Sequence, residues 1–106
     1  MAVDLELVIA ADVLYSMDIE DQRIQRLGYV KAFRDPGVIR ALRVGSLGRI
    51  AVTYVEWGGS AVQVVPWTMI DSTETADSFA TRLSRQPLRR ISFTSISNAL
   101  HSQKNS

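Results

Sequence analysis

Cysteine is absent from this sequence, so neither a disulfide nor a thiolate metal site can form, and no thiol is on hand as a nucleophile. That absence suits an oxidising and a reducing compartment equally. Neither sign of charge dominates: 12 basic residues face 11 acidic ones, a balance that asks for no nucleic acid and no anionic membrane surface. No apolar run approaches the ~20 residues of a membrane span. Histidine occurs once, as His101 in the polar run His101–Ser106, where a frayed surface residue is expected rather than a base or ligand. Internal repeats and low-complexity segments are missing too. Met1-Ala2-Val3 leads straight into the first apolar run, so no signal peptide is expected. A chain already trimmed of a leader would read the same. The sequence thus leaves the compartment open: a cytoplasmic one is expected as written, a periplasmic or secreted one if trimmed.

What is present is enough apolar side chain, 46% of 106 residues, for the core of one small domain. The organising stretch is DLELVIAADVLYSMD, Asp4 to Asp18. Leu5 to Ala11 carries apolar residues on both faces, which predicts a central strand covered on each side. The chain then enters a polar loop, Asp12 to Ser16, and Asp18 can cap the following helix, with Asp21 near its positive end. A loop beyond the carboxyl end of a central strand is where open α/β sheets place ligands. The helix is expected to run to about Phe33, with Ile24, Leu27 and Gly28 toward the sheet, and Asp35-Pro36-Gly37 stops it.

A helical turn over Val38–Val44 leads through a glycine-containing loop to a second strand, Arg49–Trp57. Gly58-Gly59 suits a tight hairpin, returning the chain over Ala61–Trp67. Pro66 lacks a ladder donor and marks this third strand as an edge. Asp71-Ser72-Thr73-Glu74 reads as a capping-box variant. Behind it Ala76, Phe79, Ala80 and Leu83 fall on one helical stripe, which Gln86-Pro87 closes. Leu88–Phe93 is a loop, and Thr94–Leu100 reads as the start of another helix.

Few side chains suggest chemistry. Ser16, Ser95 and Ser97 have no histidine placed to activate them. Asp18, Asp21, Glu56 and Asp71 are scattered and read as caps or solvated carboxylates. Arg82, Arg85, Arg89 and Arg90 gather around a helix end, where cations are favourable. Trp57 and Trp67 lie on paired strands and pack in the core or along the edge.

The segments DLELVIAADVLYSMD, LGYVKAFRDPGVI, GRIAVTYVEWGG, VVPWTMID and FTSISNAL together resemble a bacterial group of uncharacterised proteins with a von Willebrand factor A-like domain, over Val3 to Leu100. The resemblance implies an α/β fold: a Rossmann-type three-layer sandwich, truncated, with one antiparallel edge hairpin. Family members are nearly twice as long, so residues 1–106 read as a single partial domain. It also implies a divalent cation, Mg²⁺, in a metal-ion-dependent adhesion site of pattern Asp-x-Ser-x-Ser plus a later Thr and Asp. Asp12 matches the first Asp, Ser16 the second Ser and Thr94 the Thr. Leu14 stands where the first Ser would be and has no oxygen to give, so the site is degenerate.

The function expected is a non-catalytic module that binds a protein partner through the top of the sheet. A metal-dependent hydrolase or transferase using Asp12 is the alternative from another class, and the absence of a usable His or Cys argues against it. A truncated remnant without independent activity is the third reading. Homo-oligomerisation is expected through the first strand, whose outer edge would lack its neighbour.

Overall fold

The computed structural model describes residues 2–14 and 18–89. Three strands and three helices follow one another in the order β1 (Glu6–Asp12), α1 (Ile19–Arg34), α2 (Pro36–Leu42), β2 (Ile50–Trp57), β3 (Ala61–Ile70) and α3 (Thr73–Arg85). The sheet order is β1-β2-β3. β1 lies parallel to β2, from Glu6 opposite Ala51 to Asp12 opposite Trp57. β3 returns antiparallel to β2. The chain is thus an α/β domain with a mixed sheet. The turn-and-cap chemistry holds: Asp18 Oδ1 accepts from the Glu20 amide at 2.9 Å, and Asp35 ends α1 while capping α2 through the Gly37 amide at 2.8 Å. The second helix therefore starts at Pro36, two residues before the predicted turn, because a proline at the first helical position costs no hydrogen bond. Ser72 caps α3 in a capping box whose third residue is Thr75 rather than Glu74.

Strand pleating sorts the core. Leu7, Ile9 and Ala11 of β1 and Ile50, Val52 and Tyr54 of β2 point to one side, where Val30, Phe33, Ile39, Ala76, Phe79, Ala80 and Leu83 of the helices meet them. The predicted stripe of α3 is buried residue for residue. Phe33 and Phe79 pack with ring centroids 4.7 Å apart, and burying each such ring is worth about 1.5–3 kcal/mol. Arg34 adds a hydrogen-bonded ion pair from α1 to Asp77 of α3 at 3.1 Å.

Two expectations need correction. α1 does not turn Ile24, Leu27 and Gly28 to the sheet: Ile24 is 66% and Leu27 47% exposed, while Gln22, Arg26, Val30 and Phe33 are buried. A buried polar network, described below, outbids the apolar pair for the inner face. Nor is β1 covered on both sides among the described residues. Val8 is 53% exposed on the other face, with Trp67 of β3 at 49%. Two layers, one of helices and one of sheet, are therefore described. β3 extends to Ile70, past the predicted end, and its ladder to β2 is irregular around Thr53. There the Thr53 hydroxyl donates to the Val65 carbonyl at 2.7 Å and accepts from Gln63 at 2.9 Å.

The hairpin turn closes with the Gly58 amide on the Ser60 carbonyl at 3.2 Å, and Gly59 has φ of 99°. A β-branched side chain resists that left-handed conformation. Gly59→Val is expected to lower unfolding free energy by about 1–3 kcal/mol, read from denaturant melts. An unchanged midpoint would show that the turn tolerates a side chain there.

Candidate functional site

Because β1 and β2 are parallel, their carboxyl ends lie together. Asp12 and Trp57 form the last pair of the ladder, and the Val13 amide extends it by donating to the Trp57 carbonyl at 2.9 Å. Val13 is fully buried and pins the loop. The Asp12 side chain is exposed, and its Oδ1 accepts from the Leu14 amide at 2.9 Å. This is the local turn that short acidic side chains favour after a strand. Leu14 is half-buried. Ser16 and Thr94, the other two expected ligands, lie outside the described residues, as does His101.

The same end of the sheet carries a feature the sequence reading missed. Glu56, taken there for a solvated carboxylate, is 2% exposed, and Arg26 is 5% exposed. Arg26 Nη2 donates to Glu56 Oε2 at 2.8 Å. Its Nη1 donates to the carbonyls of Leu83 at 3.0 Å and Gln86 at 2.8 Å; the Leu83 carbonyl also accepts from the Gln86 amide at 3.2 Å, which closes the end of α3. The guanidinium carbon lies 5.7 Å from the Tyr54 ring centroid, and Tyr29 meets the same ring edge-on at 5.5 Å. The signal was in the sequence: pleating places Glu56 on the inner face with Ile50, Val52 and Tyr54, and a carboxylate there requires a partner.

Arg89 also departs from the reading of its cluster as a solvated helix end. It donates to the main-chain carbonyls of Glu56 and Ser60, both at 3.2 Å. The segment after α3 is thereby fastened to the hairpin end of β2. Between them lies a shallow cavity of about 230 Å³ walled by Glu56, Val62, Gln63, Gln86 and Arg89.

A family model described as "Protein of unknown function (DUF1194)" matches residues 2–106. The chain belongs to that family. No curated protein and no solved structure matches it. In this DUF1194 protein, no helix among the described residues is long and apolar enough to cross a membrane. Also among the described residues, no group of three or more His, Cys, Asp or Glu is placed to hold a metal ion. Magnesium wants an octahedron of hard oxygens. The described part of the expected centre offers the Asp12 carboxylate and, at the next position of the pattern, an aliphatic side chain. Of the expected ligands, Asp12 alone is among the described residues.

The buried cluster has a spectroscopic consequence. Burial pushes the Tyr54 hydroxyl up to about 12, and the nearby Glu56 carboxylate acts in the same direction. A folded value above the unfolded 10.0 means that the stabilisation is whole below pH 10 and is lost as pH climbs toward 12. Alkaline titration of the phenolate absorbance of the three tyrosines is expected to show one that ionises late, in step with unfolding. Removing it by Tyr54→Phe should abolish the late phase. Three tyrosines titrating together near pH 10 in the folded chain would contradict this.

Proposed function

We propose that this chain is a non-catalytic binding module of the von Willebrand factor A-like type, which recognises a protein partner through the carboxyl end of its sheet. The observation that carries the reading is the placement of Asp12. It ends the first strand of a parallel pair, opens the loop into α1, and sits in a sheet whose β3 is the antiparallel edge. That order and that edge hairpin are what the resemblance implies.

On this reading the metal site is degenerate, and recognition rests on Asp12, Ser16 and Thr94, the residues the resemblance assigns, with Leu14 altering the surface they share. Asp12 supplies an exposed carboxylate for a basic group on the partner, and Leu14 an apolar contact where the family pattern has a hydroxyl. A second contact surface is the outer edge of β1. The Leu5 carbonyl and the Val13 amide bond to β2, so by alternation the main-chain groups of Glu6, Val8, Ala10 and Asp12 face away from it. No strand among the described residues pairs with them. Strand addition there, including self-association, belongs to the same proposal.

The test is calorimetric titration of Mg²⁺ or Mn²⁺ into the native chain, Leu14→Ser and Asp12→Ala. Loss of a supporting group alone typically weakens a metal site by about 10–100-fold, so losing a ligand oxygen should do no less. Millimolar Mg²⁺ is therefore expected to give almost no heat with the native chain, Leu14→Ser is expected to bind more tightly, and Asp12→Ala not to bind. Tight binding by the native chain that Asp12→Ala leaves untouched would sink the assignment.

A further inference from the structure

The outer face of α1 is inverted relative to an ordinary amphipathic helix. Its inner stripe begins with Gln22 and Arg26, while Ile24 and Leu27 face outward. Gly28 is exposed on that outer face, and a Cβ built there would meet nothing within 4 Å. Among the described residues this glycine therefore serves no close approach, although glycine in a helix interior is destabilising relative to alanine. Beside it runs a shallow groove of about 360 Å³ lined by Gln25, Gly28, Tyr29 and Ala32.

The residues along this face have a palindromic order. Asp21, Ile24, Gly28 and Lys31 are spaced 3-4-3, the seam along which one helix packs on another. The series reads acid, apolar knob, hole, base. A two-fold axis at the level of Arg26 pairs position 21 with 31 and position 24 with 28. All four are exposed. Neither Asp21 nor Lys31 is in an ion pair among the described residues. A helix that meets its own antiparallel copy thus finds complementary charge and complementary shape in one register.

We infer that a second copy of this chain docks antiparallel on α1, each Ile24 seated over the partner's Gly28 and each Asp21 facing the partner's Lys31. The contact is isologous and closed, so it yields a dimer rather than a fibre. A single helix pair is a small interface, and the dimer is correspondingly concentration-dependent. Its charged ends make it weaken as salt rises. Its residues, Asp21, Ile24, Gly28 and Lys31, are distinct from those of the partner surface proposed above.

Sedimentation equilibrium of the 106-residue chain, from low micromolar to near-millimolar, tests this. The native chain is expected to dimerise, with a Kd that rises with salt. Gly28→Met fills the hole and has free space in the monomer, so it should keep the native circular dichroism while raising Kd by about tenfold or more. Asp21→Lys or Lys31→Asp alone should do the same, and the two together should restore association. A monomer at every concentration would overturn the inference. So would self-association that neither Gly28→Met nor the single charge reversals alter, which would assign the contact to another surface such as the β1 edge.

Discussion

Everything described around the helical face of the sheet depends on one buried guanidinium. Arg26 reaches from α1 to three places at once: the Glu56 carboxylate on β2 and the two carbonyls at the end of α3. Moving a charge out of water costs several kcal/mol, and the cost is recovered only where geometry and hydrogen bonds are good. Here one cation neutralises a buried carboxylate and also donates to two carbonyls at the end of α3, adding to the bond that Leu83 already accepts from the Gln86 amide. The cluster is not fully satisfied, since Arg26 Nε and Glu56 Oε1 are buried without a hydrogen-bond partner among the described residues. Its value is therefore best seen as positional: it sets how α1 and α3 sit on the sheet more than it adds to stability.

That position matters for the candidate site because the same residue joins both. Glu56 stands opposite Ala11 in the parallel ladder, one pair before Asp12 and Trp57. Its carbonyl receives Arg89. The side chain of Glu56 thus fixes the helices, and its main chain fixes the segment after α3, at the end of the sheet where Asp12 enters its turn. Under the proposed function the Asp12 carboxylate is presented from a strand end paired to β2, which lowers the ordering cost of binding a partner.

Where local rules and tertiary packing agreed, the fold was legible in the sequence. α3 is the clearest case: a clean apolar stripe and Gln86-Pro87 as a stop describe the same helix, although its capping box runs from Ser72 to Thr75 and not from Asp71 to Glu74. Pro66 announced an edge strand and Gly58-Gly59 the hairpin, since both act through backbone constraints that context cannot change. α1 misled because periodicity counts apolar residues, while its inner stripe starts with Gln22 and Arg26 and its outer one carries Ile24 and Leu27. No single-helix pattern can reveal that an arginine has a carboxylate waiting on a strand thirty residues away. Of the candidate site, the sequence placed Asp12 at the end of β1 and the loop leading to the Asp18 cap, because strand and cap signals bracket it. Glu56 and Arg89 were passed over because their significance lies in partners remote in sequence.

The central claim is that the Arg26–Glu56 pair couples α1, β2 and α3. A double-mutant cycle with Arg26→Met and Glu56→Met, followed by denaturant unfolding, tests it most directly. Each single change strands the other charge in the core and is expected to cost about 3–5 kcal/mol. The double variant should cost clearly less than the sum, short of native because the Leu83 and Gln86 carbonyls lose their donor. Single costs below about 1 kcal/mol, or costs that simply add, as for independent sites, would contradict the account.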